Sequence, residues 1–544
     1  MKATNMKKAI SKTQLLLAPM VVMVLLFTLA AHAAAPGITG GAGTPTFNLQ
    51  ANFAYITQPD GQMIYSWGYG CVGNPTGYAP TAIKSTFCNA MQVPGPTLIV
   101  TEGDAVTVNL ANNLPTSAGN TSILFPGFQV TTTGGVAGLL TQEAQPGSSV
   151  TYKFTATTPG TRAYYSGTQS DLQIEMGMYG AIIVLPAHAQ SCPGPAHSTY
   201  AGVNQAGTAL LAGGEGDFRL ATSAYDHPKT CYDREYLFQF SEMDPNIHSQ
   251  ALAQVSDTTR AAACAKGATT PGCSLDVPTE PYHPAYFMIN GRSMPDDMDP
   301  NYALEYPHQP YNGNPHMHPG DQVLLRIIGQ GRWQHPFHEH GNHVRILARD
   351  GNLILSSASA TDPNLAGPLL FTTTTTPGVA MDGIFYWTGR GLNWDPYGHN
   401  PGSGDPLATL TCSADANGYN TSNPAAVNYY EWCQDHNKPV QAAPFGDVAA
   451  GGPVTLPDAN ILTNGAWYGG SPYLGPDATV RATGPTGTTP PSGTIANPPG
   501  SEAGFAFMWH SHNEREITTN NIFPGGMMMM MLVDSREFPI DESN

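Results

Sequence analysis

The chain has 544 residues, enough for two or three domains with substantial cores, and its formal net charge is −18. That charge argues against nucleic acid and anionic membrane surfaces as partners, because both repel an acidic protein. Only 11% of the residues are charged, whereas glycine (59) and proline (48) are abundant. This balance is typical of an all-β protein with many turns and few exposed amphipathic helices.

The first 33 residues have the pattern of a secretory signal peptide. Four lysines precede an apolar run from about Leu15 to Ala30, and the small-residue sequence Ala31-His32-Ala33 closes it. We expect cleavage after Ala33 and an exported mature protein, which is periplasmic, at the cell surface or secreted. The alternative is a single membrane anchor, because the apolar run is long enough to be considered. No membrane span is expected after cleavage of the signal.

Eight cysteines in an exported chain suggest up to four disulfide bonds. Their spacings do not resemble a zinc ribbon, so we interpret them as structural. Pairing between sequence neighbours is the simplest of the many possible connectivities. It predicts the bonds Cys71–Cys88, Cys192–Cys231, Cys264–Cys273 and Cys412–Cys433.

Short strand-like runs separated by Gly, Pro and Asn predict a β-sandwich over residues 46–186. A linker follows at 187–231, and a second strand-rich block covers 232–540. Within the second block, residues 389–499 are rich in Gly, Pro, Asn, Ser and Thr. We interpret this segment as a long loop insertion that is either a lid or an interaction surface.

Two short histidine clusters carry the chemistry of the second block. They read His335-Pro-Phe-His338-Glu-His340 and His510-Ser-His512. On a β-strand, residues two apart point to the same face, so each His-x-His pair offers two imidazoles to one site. If the clusters lie on adjacent strands, they form a nitrogen-rich site suited to Cu(II), Zn(II) or Ni(II). The alternative is that these histidines fill space or bond to one another.

At these motifs the chain resembles the multicopper oxidase family of cupredoxin-fold, laccase-like proteins. The stretch from Pro94 to Pro115 resembles the family's entry sequence, and Gly177–Val184 resembles the end of its first domain. His335–Gly341 and His510–His512 resemble motifs of its last domain. The resemblance implies two cupredoxin-like Greek-key sandwiches and copper as cofactor.

The chain departs from the family's motifs at most of the expected copper ligands. The four first-domain histidines are replaced by Leu124, Pro126, Tyr165 and Gly167. The type 1 cysteine is replaced by Ser511, and its second histidine by Glu516. A type 1 centre needs two His and one Cys in a trigonal array, so neither that centre nor a complete three-copper cluster is expected in one chain.

The predicted metal ligands are therefore the histidines that remain at family positions. They are His335, His338, His340, His510 and His512, with His343, Glu516 and Met527 as weaker candidates. Catalytic residues are not assigned. In a second group, His308, His316 and His318, the pair His316-Met-His318 has strand spacing, but flanking prolines favour a loop.

Two functions from different classes fit these residues. The first is an exported oxidoreductase with a reduced complement of His-bound copper, which takes electrons from an unidentified small-molecule reductant. The second is a non-catalytic cupredoxin-like protein that binds copper for sequestration or serves as a surface or assembly module. The number of coppers stays open, and a homo-oligomer, such as a trimer with ligands from a neighbouring chain, is possible under either function.

Overall fold

Twelve strands lie within the described residues of the first half of the chain. The computed structural model describes residues 34–81, 88–192, 217–318, 320–357, 364–388, 411–416, 418–422, 433, 470–473, 479–481, 494–496, 504–534 and 540. The strands are β1 (Gly37–Thr39), β2 (Thr46–Thr57), β3 (Met63–Cys71), β4 (Gly77–Ala79), β5 (Leu98–Thr101), β6 (Ala105–Asn112), β7 (Thr131–Gly134), β8 (Val136–Ala137), β9 (Gln142–Glu143), β10 (Ser149–Thr155), β11 (Gly160–Tyr165) and β12 (Tyr179–Leu185).

These strands form two five-stranded sheets that pack face to face. One sheet has the order β11-β12-β5-β1-β4 and the other β3-β2-β6-β10-β7. Burial alternates along β6, where Val106, Val108 and Leu110 are buried and their neighbours are more exposed. Because side chains on a strand point alternately to opposite faces, this period of two places one apolar face against the other sheet. Leu98 and Ile182 of one sheet join Phe47 and Val108 of the other in one core.

The second half of the chain repeats this architecture with larger sheets. Its strands are β13 (Arg234–Met243), β14 (Tyr286–Ile289), β15 (His316–Met317), β16 (Gln322–Gly329), β17 (His335–Glu339), β18 (Val344–Arg349), β19 (Asn352–Leu353), β20 (Leu369–Leu370), β21 (Thr372–Thr375), β22 (Ala380–Tyr386), β23 (Gly470–Tyr473), β24 (Thr479–Arg481), β25 (Thr494–Ala496), β26 (Gly504–Ser511) and β27 (Met528–Asp534). One sheet has the order β14-β13-β16-β22-β18-β19 and the other β15-β27-β26-β17-β21. The second core lies between them.

Three short α-helices occur among the described residues. They are α1 (Ser170–Gln173), α2 (Pro245–Val255) and α3 (Thr258–Cys264). The carboxylate of Asp244 accepts the backbone NH of Asn246, and Pro245 occupies the first turn, so α2 begins with a favourable cap. Within the part of the chain that the model describes, no helix has the length and apolar character needed to cross a membrane.

Buried polar contacts join the two sandwiches. Strand β13 is buried along its whole length, and it contributes polar side chains as well as apolar ones. Asp382 accepts hydrogen bonds from the amide and hydroxyl of Thr161 at 3.1 and 2.6 Å. Tyr179 Oη donates to Ser241 Oγ at 2.7 Å. These contacts fix the second sandwich against the first.

The all-β, cupredoxin-like fold predicted from the sequence is confirmed, and so are the four disulfide bonds. The bonds join Cys71 to Cys88, Cys192 to Cys231, Cys264 to Cys273 and Cys412 to Cys433. The predicted signal peptide lies outside the described residues. Most of the predicted insertion at 389–499 does so too, and the domain boundaries stay predictions.

Candidate metal centre

Pairing between β17 and β26 brings the two histidine clusters together. The strands are antiparallel, with His338 opposite His510 and Phe337 opposite Ser511. The amide of His512 donates to the carbonyl of Pro336 at 2.8 Å, which continues this pairing past the end of β26. Directly opposed residues of an antiparallel pair point to the same face. The register therefore places His338 and His510 side by side.

The four His-x-His imidazoles form one compact cluster on that face. The ring centroid of His338 lies 4.8 Å from that of His340, 5.6 Å from that of His510 and 5.0 Å from that of His512. The centroids of His340 and His510 are 5.2 Å apart, and those of His510 and His512 are 5.7 Å apart. The predicted convergence of two sequence-distant clusters is what the geometry shows.

One pair of nitrogens in this cluster has a spacing that fits both a hydrogen bond between the two rings and two ligands of a single ion. His510 Nε2 lies 3.2 Å from His340 Nε2. Two nitrogens bound to one tetrahedral ion at the usual 2.0–2.1 Å lie about 3.3 Å apart. Among the described residues, no group of three or more His, Cys, Asp or Glu side chains has the geometry of a formed metal site. A bound ion thus requires small rotations of the remaining rings toward this pair.

Hydrogen bonds orient two of these rings by their Nδ1 atoms, and for His510 the contact also fixes the position of the proton. His510 Nδ1 lies 2.7 Å from the carbonyl oxygen of Ser511, an acceptor that places the proton on Nδ1. His338 Nδ1 lies 2.8 Å from Thr372 Oγ1. Metal-binding histidines commonly donate their second ring NH to a neighbouring oxygen, and this contact orients the ring. The arrangement is consistent with Nε2 as the ligating atom of both residues.

Burial keeps the imidazoles of His338 and His510 neutral. Burial, followed by the neighbouring rings of His340, His510 and His512, lowers the pKa of His338 to about 4. Burial also lowers the pKa of His510. A metal ion binds the neutral imidazole, so these shifts remove most of the competition from protons at neutral pH.

The cluster is accessible from one side. His338 and His510 are buried, His340 is half-buried and His512 is exposed. The ring of Phe371, half of which is exposed, lies 5.7 Å from that of His338. An ion or a small molecule can therefore reach the cluster along His512 and His340.

His335 lies apart from the four clustered rings, although it belongs to the same strand. It has the opposite parity to His338 and His340, so it points to the other face of β17. There its Nε2 lies 2.9 Å from Glu242 Oε2, and its Nδ1 lies 2.9 Å from Glu516 Oε2. All three side chains are buried. The two carboxylates outweigh the effect of burial and raise the pKa of His335 to about 9, so it is an imidazolium at neutral pH.

The atoms around His335 do not fit a type 1 copper. Ser511 Oγ donates a short hydrogen bond to Glu516 Oε2, the same oxygen that contacts His335. Asn513 Nδ2 donates to the other oxygen, Glu516 Oε1, at 2.9 Å. A type 1 site needs a thiolate and two imidazoles with available lone pairs. This location instead holds an acid–histidine–acid triad, Glu242–His335–Glu516.

The first-domain positions that lack histidine are filled by an apolar contact. The amide of Leu124 donates to the carbonyl of Tyr165 at 2.8 Å, so the two altered motifs lie side by side. A Cβ atom on Gly167 would lie 2.8 Å from Leu124 Cγ. The leucine side chain therefore occupies the space beside Gly167.

The weaker ligand candidates lie elsewhere. His343 stacks edge-on against Phe371 at 5.0 Å, and Met527 is fully buried in the second core. His316 Nδ1 lies 2.7 Å from Asp534 Oδ2, and His318 Nδ1 lies 3.0 Å from the Asp534 carbonyl. Strand β15, which contains His316, pairs with β27, so this second group belongs to the sheet and not to the four-histidine cluster.

Sequence reasoning missed two residues of this region. Glu242 lies 93 positions before its partner His335. The available signal was a glutamate near the end of a strand, β13, that is buried throughout. Thr372, which orients His338, gave no signal because β21 is a plain run of threonines.

Comparison with known proteins places these observations in a family. Residues 77–189 match the family model described as multicopper oxidase. Laccase abr2 of Aspergillus fumigatus is 36% identical over 124 residues, which are 22% of this chain and 20% of that protein. Multicopper oxidase MCE of Talaromyces pinophilus is 38% identical over 98 residues, or 18% and 15% of the two chains. The chain thus spans about a fifth of the length of these relatives.

Solved structures of similar proteins include two copper oxidases. The multicopper oxidase mgLAC aligns over 91% of this chain and 88% of its own, with 16% identity and a TM-score of 0.42. A blue copper oxidase from Nitrosomonas europaea aligns over 90% and 85%, with 15% identity and a TM-score of 0.41. The family match over residues 77–189 and the laccase relatives support a divergent multicopper oxidase-like chain.

Proposed function

We propose that this chain is an exported copper-binding oxidoreductase in which one His-ligated centre replaces the family's set of copper sites. The ligands are His338, His340, His510 and His512. The observation that carries the proposal is the 3.2 Å separation between His510 Nε2 and His340 Nε2 within a cluster of four rings. Copper suits this donor set, because imidazole binds Cu(II) strongly and the family uses copper.

The chain's own residues prepare the site for a cation without changing their protonation. Thr372 and the Ser511 carbonyl hold two rings by their Nδ1 atoms, and burial keeps those rings neutral. Copper held by these four histidines would supply one-electron redox chemistry at the site. The exposed edge of His512 is where a small reductant would approach.

Electron entry through a separate blue centre is not part of this proposal. In the family, that role belongs to the position of His335, Ser511 and Glu516. Here both ring nitrogens of His335 contact carboxylates, and the serine hydroxyl is bonded to one of them. The substrate therefore has to react at the four-histidine centre itself.

Metal analysis of the protein purified from its native compartment tests the copper site. We expect stoichiometric copper, an EPR signal of nitrogen-ligated Cu(II), and no intense blue colour. The variant His338→Ala/His512→Ala should lose the metal, whereas the exposed His283→Ala provides a matched control that should keep it. Unchanged copper in the double variant would refute the site, and an intense blue band would refute the absence of a type 1 centre.

Activity assays separate an enzyme from a copper store. Turnover of phenols, Cu(I) or Mn(II) that is lost in the double variant and kept in His283→Ala would establish an oxidoreductase. Stoichiometric copper without turnover would instead favour sequestration. Two observations favour this second candidate. Both ring nitrogens of His335 contact carboxylates, and Leu124 fills the space beside Gly167, so copper ligands that the family uses are missing at both places.

A further inference from the structure

Strand β27 begins with a run of methionines, and the two faces of the sheet divide this run into two groups. Met529 and Met531 are buried in the second core. Side chains alternate between the two faces of a strand. Met528 and Met530 therefore point to the opposite, outer face of the sheet β15-β27-β26-β17-β21.

A third methionine lies on this outer face, on the neighbouring strand β26. Met508 is directly opposite Met530, and His510 is directly opposite Met528. Directly opposed residues of an antiparallel pair point to the same face. Trp509, which separates Met508 from His510 in sequence, is buried in the core, as the alternation requires. Met508, Met528 and Met530, here called the methionine group, thus share the face that carries the four clustered imidazoles.

The hydrogen bonds of β27 show that the opposed side chains of the methionine group are close. The backbone NH of Met530 is directed away from β26, since it lies 3.4 Å from Met298 Sδ, and the NH of Leu532 donates to the Pro315 carbonyl. Met508 and Met530 are therefore a non-hydrogen-bonded pair, the type in which the opposed Cβ atoms lie closest, about 4.5–5.5 Å apart. A methionine side chain has three rotatable bonds, so two sulfurs on such a pair can converge on one ion.

The methionine group adjoins the four-histidine cluster directly. His338 is opposite His510, and continuing this register by one residue places His340 level with Met508. Across the outer face, one row therefore reads His340, Met508, Met530, and the next row reads His338, His510, Met528. Thioethers and imidazoles occupy adjacent positions of one surface.

Part of the methionine group is accessible from outside. Met508 and Met530 are half-buried, whereas Met528 is buried beside His510. Strand propensity does not account for methionine at outward positions, because β-branched and aromatic residues are preferred in strands. Packing does not require it either, since the flexible methionine side chain specifies a packed surface poorly. The property that methionine adds to this face is a soft sulfur donor.

From this arrangement we propose that the methionine group binds Cu(I) next to the four-histidine centre. Soft thioethers favour Cu(I), whereas imidazole also suits Cu(II) and Zn(II). The chain's net charge of −18 favours the approach of a cation. The inference rests on the proposed function for the neighbouring imidazoles, and it deepens that function by naming Cu(I) as the form of copper that this face receives.

Anaerobic competition with bicinchoninate, a Cu(I) chelator, and X-ray absorption at the copper edge test the site. We expect sulfur as well as nitrogen among the ligands of Cu(I) in the wild-type protein. Met528→Leu/Met530→Leu nearly conserves side-chain volume and should weaken Cu(I) binding at least about 10-fold, a loss that follows even from removing an outer partner of a metal ligand. Addition of Met508→Leu should remove the sulfur scattering. Cu(II) binding, followed by EPR, should persist in both variants, because the imidazoles are unchanged.

Met529→Leu/Met531→Leu is a matched control on the same strand, because these two side chains point into the core. It should keep the wild-type affinity for Cu(I), and thermal unfolding without metal checks that each variant is folded. No Cu(I) binding, Cu(I) held by nitrogen alone, or equal weakening by the inward and outward pairs would overturn the methionine site. Cu(II) that fails to bind while sulfur holds Cu(I) would instead refute the four-histidine centre and leave this site standing.

Discussion

The buried triad around His335 makes the stability of the protein depend on pH in a defined window. Burial opposes the charge, but hydrogen bonds to Glu242 and Glu516 raise the pKa from 6.5 to about 9. Below pH 6.5 the folded and unfolded states both carry the proton, and the stabilisation is complete. Above it the unfolded chain loses the proton first, so the stabilisation is lost as the pH rises through 9. The shift corresponds to about 3 kcal/mol of unfolding free energy.

Replacing Glu516 by Gln tests this reasoning without changing the shape of the side chain. With one carboxylate left, the pH-dependent loss should fall to about half, roughly 1–2 kcal/mol. Urea unfolding at several pH values between 6 and 10, in chelator, measures the difference. Glu514→Gln alters an exposed neighbour and should follow the wild type. If Glu516→Gln and the wild type lose stability in parallel across this range, the imidazolium does not hold the triad together.

Three further predictions concern the retention of copper at low pH and the buried carboxyl groups of Glu175 and Asp382. Because the pKa of His338 is lowered to about 4 and that of His510 is also lowered, copper should stay bound down to about pH 5 in equilibrium dialysis; release with a midpoint near 6.5 would contradict this. Burial raises the pKa of Glu175 from 4.5 to about 8, so the stability present below pH 4.5 is lost progressively as the pH rises to 8, by up to about 5 kcal/mol. Glu175→Gln should remove this pH dependence, which urea titrations at pH 5 and 8 would show. Asp382→Ala should cost about 3–5 kcal/mol in denaturant unfolding, because buried Arg326 loses one of its two carboxylates; a cost below about 1 kcal/mol would contradict a structural role.

The parts of the fold that sequence could predict are those set by local chemistry. Alternation along β6 follows from one apolar face of a two-sheet sandwich, so it is visible in eight residues. The disulfide bonds were predictable because each joins sequence neighbours no more than 39 residues apart. The sheet order was not, since it depends on parallel pairings such as that of β13 with β16, across about 90 residues.

The alternation of side chains between the two faces of a strand predicted only part of the candidate site. It correctly put His338 with His340, and His510 with His512, on one face. Applied to His335, it also implies the opposite face, since three residues separate it from His338. No local pattern identified the residue that contacts His335 on that face. Glu242 reaches it because β13 ends beside β17 in the folded sandwich, and such a contact is a property of the tertiary structure.

The two substitutions in the last histidine motif make physical sense only as a pair. Relative to the family's pattern, Ser511 replaces a thiolate, so the location loses one negative charge and its affinity for copper. A cation removed from between buried ligands must be replaced, because buried carboxylates such as that of Glu242 are costly without one. Glu516 restores the lost negative charge, and with Glu242 it holds His335 as an imidazolium in the metal's stead. The serine hydroxyl then donates to that same glutamate, which ties the end of β26, between His510 and His512, to the triad. The protein thus keeps a positive centre at this point of the core, in the imidazolium of His335, next to the four-histidine face.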